Sequence, residues 1–170
     1  MRRLITAFGM VVVFLVPAAV LAAPGRVTDS DNLKHFVTIR QATAKHHDVS
    51  QALADGYVPV SPCDEHHGVG AMGIHYLNPA LAMDLVLDPL APELLLYIPS
   101  GNGLRLVAVE YFVADVGQPH PTLFGQAFDG PVAGHEPAMP PELVHYDLQV
   151  WLWQANPAGI FAQWNPALRC

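Results

Sequence analysis

From residue 28 onward the chain switches between two hydrophobic periods. Thr28-Asp29-Ser30-Asp31 supplies helix N-cap chemistry, and Leu33, Phe36, Val37, Arg40 and Ala44 follow at three- and four-residue intervals. This spacing predicts a helix with one apolar stripe. Val49, Ala52 and Leu53 continue it, and Gly56 is a natural stop. His46-His47-Asp48 is a point at which the run can divide into two helices.

Beyond Gly56 the period shortens to two. Pro59 and Pro62 keep Tyr57 to Val60 extended. Ala71 to Leu77 alternates loosely up to the turn signal Asn78-Pro79. Leu81 to Leu87 fits either a short helix or a strand. Leu94–Pro99 and Leu104–Val113 form the clearest strand pair, joined by the turn residues Ser100-Gly101-Asn102-Gly103. Gly117 to Pro141, rich in proline and glycine, reads as a long ordered loop that crosses an open end of the sheet. Val144 to Trp153 is the last expected strand. Asn156-Pro157-Ala158-Gly159 then turns into an aromatic segment ending at Trp164-Asn165-Pro166. The expected class is α+β, with an N-terminal helix packed on a curled antiparallel sheet. These periods leave open whether the sheet closes into a barrel.

The first 22 residues change the picture. Met1-Arg2-Arg3 is a short cationic start, Leu4 to Leu21 is almost entirely apolar, and Val20 and Ala22 stand at the positions of a cleavage site. This is the layout of a secretory signal peptide. A single exported domain over residues 23–170, secreted or periplasmic, is the expectation, with no stable membrane anchor after cleavage. The formal net charge of −7 becomes more negative once Arg2 and Arg3 are lost. That balance excludes charge-driven tracking of nucleic-acid phosphates. Cys63 and Cys170 are the only cysteines, and an even count in an oxidising compartment favours a disulfide between them.

Polar residues inside apolar runs carry the functional signal. On Leu104–Val113, alternation groups Leu104, Leu106, Ala108, Glu110 and Phe112 on one face. Glu110 thus falls in an apolar row, where a carboxylate needs a partner or a shifted pKa. On the last strand His145, Asp147, Gln149, Trp151 and Trp153 share a face, either toward solvent or lining a cavity. His75 shares its face with Ala71, Gly73 and Leu77, and the nearby glycines permit close approach of a ligand or another backbone. With His66 and His67 in the preceding loop, and with Glu110 and His145, these residues make a nitrogen and oxygen set suited to a divalent transition metal. His66 and His75 are not spaced as a defined metal motif. Glu110, Gln149 and Trp151 are the candidates for contact with a small ligand.

Other chemistries have less support. No serine lies in a Gly-x-Ser-x-Gly setting. Ser100-Gly101-Asn102-Gly103 lacks the lysine and following helix of a phosphate-binding loop. Glu110 and Asp147 are a possible carboxylate pair for glycoside hydrolysis, with nothing to set their separation.

Gly70-Ala71-Met72-Gly73-Ile74-His75-Tyr76-Leu77-Asn78-Pro79, and Trp151-Leu152-Trp153-Gln154-Ala155-Asn156-Pro157 through Asn165-Pro166, resemble segments of a family of small exported bacterial proteins of unknown function. The resemblance implies a shared fold and carries no activity. It also implies a histidine where this chain has Gln149, which weakens a metal site that draws on the last strand. His145 is then the nearest substitute. The expected function is binding of a metal ion or small polar molecule in a His/Glu-lined cavity. The alternatives are a cell-envelope enzyme using Glu110 with a histidine as acid and base, or a structural module without a ligand.

Overall fold

The structure is a computed structural model and describes residues 29–134 and 140–170. The expected signal peptide lies outside these residues. Helix α1 spans Asp29–Thr43, a 3-10 turn spans Ala44–His47, and α2 spans Val49–Ala54. The division falls at Asp48, whose side chain accepts the Ser50 N–H and caps α2. The buried stripe of α1 differs from the expected one: Phe36, Ile39 and Thr43 turn inward, while Leu33 and Val37 are exposed. Thr43 tolerates complete burial because its hydroxyl donates to the Ile39 carbonyl one turn back.

The strands are β1 (Val58–Pro59), β2 (Asp64–His66), β3 (Gly70–Leu77), β4 (Leu94–Ser100), β5 (Gly103–Ala114), β6 (Thr122–Leu123), β7 (Gln126–Ala127), β8 (Asp129–Val132) and β9 (His145–Val150). A seven-stranded antiparallel sheet runs in the order β1-β3-β4-β5-β9-β8, and β2 pairs with β3 beside β1. Helices and an antiparallel sheet together make the class α+β. The sheet is open and no barrel forms. Its two terminal strands, β1 and β8, carry Pro59 and Pro131, each of which removes an amide donor from the ladder.

The ambiguous stretch after Asn78 begins as helix α3 (Pro79–Asp84), with Asn78 as its cap, and stops where Leu85 turns left-handed. The proline-rich segment is more structured than a loop. It contains the β6–β7 hairpin and β8, which joins the sheet along β9. The last strand is shorter than expected. After Val150 the Trp151 N–H turns to the Ile160 carbonyl, and the Trp153 and Gln154 N–H groups both turn to Val107 O.

Val107 is free to accept them because it is bulged. Leu96 pairs with Ala108 and Tyr97 with Leu106, leaving Val107 as the extra residue. The bulge moves Leu104 and Leu106 to the opposite face from Ala108, Glu110 and Phe112, correcting the single row expected on this strand. One face then buries Tyr97, Leu106, Val109, Tyr111, Tyr146, Leu148 and Val150 in the larger core, which also contains Ile39 and Ala52. The other face holds Ala71, Leu96, Val107, Ala108, Trp151 and Leu168 at one end and Leu94 and Phe112 at the other. Cys63 and Cys170 are joined by a disulfide, with Cα atoms 5.7 Å apart, which ties the chain end to the loop before β2.

Candidate functional site

On the second face, a cavity of about 40 Å³ is lined by Val60, Met72, His75, Leu77, Leu94, Glu110, Phe112, His145, Asp147, Gln149 and Gln163. Strand register explains the grouping. Leu77, Leu94, Glu110 and Gln149 align across β3, β4, β5 and β9, and Phe112 aligns with Asp147 and then Asp129. His145 follows two residues before Asp147 on the same side of β9.

Met72 enters by a different route. Asp64 pairs with Gly73 and Glu65 with Ala71, so Met72 is the extra residue of a bulge. Gly73 then adopts a φ of +105°, and a Cβ there would lie 2.4 Å from the Tyr97 carbonyl oxygen. Only glycine fits this crossing, and the break in alternation lets Met72 and His75, three residues apart, reach one cavity.

His75 and Glu110 both line it, with Nε2 of the imidazole 3.4 Å from Oε2 of the carboxyl. They are 8% and 7% exposed. On its other side His75 is anchored: Ser61 Oγ lies 2.9 Å from Nδ1 and also accepts the His75 backbone N–H. The Ser61 hydroxyl is further bonded to the Pro62 carbonyl. That arrangement orients the ring. Burial pushes the Glu110 carboxyl well above its ordinary range, and the charge of Asp147 pushes it the same way. Hydrogen bonding from Gln149 opposes the rise.

Gln149, 4% exposed, also donates from Nε2 to Met72 Sδ at 3.1 Å. Its Oε1 has no hydrogen-bond partner among the described residues, and neither does Glu110 Oε2. Two buried acceptors therefore border one small space. His145 stacks on Phe112 at 5.1 Å, and its Nε2 lies 3.5 Å from Asp147 Oδ2. The neighbouring Asp129 is raised by partial burial and by the charge of Asp147.

The remaining candidates lie elsewhere. His66 and His67 are exposed at the β2–β3 turn, outside the cavity lining, and His66 packs edge-on against Trp164 at 5.8 Å. The expected metal set is therefore not assembled as a whole. Among the described residues no group of three or more His, Cys, Asp or Glu is arranged to hold a metal ion. Trp151 is not a cavity wall, because β9 ends before it. Its indole is buried in the cluster with Leu96 and Val107 and donates to the Ala162 carbonyl.

Met72, Phe112, Leu77, Leu94, Val60 and Gln163 were not legible as site residues, since each reads as ordinary core or loop. Glu93 is likewise unmarked by the sequence pattern. It is 1% exposed at the head of β4, where its carboxylate accepts the Phe112 N–H at 3.0 Å and burial pushes its pKa up to about 7. The one available signal was an acidic residue directly preceding an apolar run.

Comparisons with protein-family models, curated proteins and solved structures return no match.

Proposed function

We propose that this is an exported binding protein holding a small polar ligand, one that donates hydrogen bonds, in the cavity lined by His75, Glu110 and Gln149. The carrying observation is that two buried oxygens, Glu110 Oε2 and Gln149 Oε1, make no hydrogen bond among the described residues, while both residues line one cavity. A buried acceptor left unsatisfied costs on the order of 1–3 kcal/mol, and a bound donor recovers that cost. Export is supported by the leader-like residues 1–22 and by the disulfide, a bond that persists in oxidising compartments. No helix among the described residues is long and apolar enough to cross a membrane. The resemblance to small exported bacterial proteins is part of the same reading. So is the packing of α1 over the larger core, which leaves the opposite face of the sheet for the ligand.

A divalent metal is the less favoured occupant, because His66 and His67 do not join His75. A second reading, acid–base catalysis, is supported by one observation: a buried carboxyl of raised pKa lies beside an imidazole. It requires Glu110→Gln to abolish turnover and its pH dependence.

The binding reading is tested on untagged protein. Native mass spectrometry looks for a co-purified ligand, and amide NMR follows titration with ammonium, methylammonium, acetamide, zinc and copper salts. The expected result is a response centred on Met72, His75, Glu110 and Gln149. No co-purified mass, together with no response to any probe at these positions, overturns it.

A further inference from the structure

Taking the cavity to be a ligand site, as proposed above, we infer that its ligand is a small cation with N–H donors, of the size of ammonium or methylammonium. Charge is the first reason. Glu110 and Asp147 both line the cavity, Asp129 pairs with Asp147 across β8 and β9, and none of the eleven lining residues is lysine or arginine. An anion would meet carboxylates there without a fixed positive partner.

Hydrogen-bond polarity is the second reason. Gln149 Oε1 is buried, has no hydrogen-bond partner among the described residues and can only accept, so the ligand must bring a donor. An ammonium group brings only donors, whereas a neutral amide brings its own carbonyl oxygen into the same acceptor-rich space. Size is the third. About 40 Å³ holds roughly three water-sized groups, which suits a ligand of about two or three heavy atoms better than a sugar or an amino acid. Leu77, Leu94, Phe112 and the Met72 thioether give a methyl group an apolar seat in the lining.

Proton exchange follows from the surroundings. Burial favours the neutral form of Glu110, so a bound cation displaces the carboxyl proton. The other titratable groups around it are His75 on β3, Glu93 at the head of β4, His145 and Asp147 on β9, and Asp129 on β8. Loss of a proton from any of them makes the cavity more negative. All act in the same direction, and affinity for the cation rises with pH.

The experiment is an NMR titration of the full exported chain with methylammonium chloride, acetamide and zinc chloride at matched ionic strength. Methylammonium is expected to perturb His75 and Gln149 saturably, with affinity rising about tenfold or more between about pH 5 and pH 7. Glu110→Gln should lose that binding. Asp147→Asn should weaken methylammonium binding severalfold, and it provides the charge test if Glu110→Gln does not fold. Acetamide binding as tightly as methylammonium, or pH-independent methylammonium binding, overturns the cation assignment and leaves a ligand cavity standing. Saturable binding of zinc alone overturns it in favour of a metal. Silence from all three probes overturns both the cation assignment and the binding function.

Discussion

His75 Nε2 stands 3.4 Å from Glu110 Oε2, although β4 separates the strands that carry them. They reach each other across β4, where His75 pairs with Leu96 and Glu110 with Leu94. Such a pair is costly to bury, and replacing it with apolar groups of similar volume is often neutral or stabilising. The double variant His75→Leu/Glu110→Met is therefore expected to match or exceed the wild-type stability by about 1–3 kcal/mol at neutral pH, with ligand binding abolished. His75→Ala alone should destabilise by about 2–4 kcal/mol, because it leaves the carboxyl buried without its neighbour. Urea denaturation of both variants checks the contrast.

Glu93 sets a pH dependence with a definite sign. Its folded-state pKa is about 7, against an ordinary value of 4.5. The folded state therefore keeps a proton that the unfolded chain has lost. The contribution of Glu93 to stability is greatest below about pH 4.5 and falls as pH rises through about 7, by about 3 kcal/mol when the full shift is realised. Glu93→Gln retains an oxygen to accept the Phe112 N–H and should remove this fall. Thermal midpoints of the two proteins, measured from about pH 4 to pH 8, should converge at the acidic end and diverge at the basic end.

Gly73 holds the geometry of the site. Alanine there must adopt a φ of +105° and place a Cβ 2.4 Å from the Tyr97 carbonyl oxygen, so β3 must part from β4. Gly73→Ala is expected to cost about 3 kcal/mol or more and to separate Met72 from His75. Gly101→Ala, where a Cβ meets nothing within 4 Å, is the matched control for left-handed backbone alone. Equal stability losses in the two variants would show that the β3–β4 crossing is not tight.

The disulfide closes a span of 107 residues. Loop-closure entropy gives it on the order of 4 kcal/mol. Cys63→Ala/Cys170→Ala should lose about 2–4 kcal/mol and free the last residues from β2, where the Cys170 N–H now donates to Glu65. Asn165 still exchanges two backbone hydrogen bonds with Ala71, so hydrogen exchange should quicken after Asn165 and change little within β3.

Much of this arrangement could be read from residue order alone. The β4–β5 hairpin announces itself through turn chemistry between two apolar runs, and a lone cysteine pair in an exported chain points to one bond. The parity of β9 is regular, so His145, Asp147 and Gln149 share a side as alternation requires. What alternation cannot reveal is where it fails. The bulge at Val107 moves Leu104 and Leu106 away from Glu110, and the bulge at Met72 brings that side chain into the cavity. Both irregularities depend on partner strands distant in sequence. Trp151 continues the spacing of β9 after the strand has ended, because its N–H is taken by Ile160. Open closure of the sheet likewise depends on which strands fall at its edges.

The most direct measurement is a 13C NMR titration of the Glu110 side-chain carboxyl, from about pH 4 to pH 9. A sheltered carboxyl beside Asp147 should titrate well above its ordinary value of 4.5, and its midpoint should fall when methylammonium is added at saturation. A midpoint at the ordinary value, unmoved by any small polar probe, would mean that Glu110 meets water freely, and the cavity would have no role in binding.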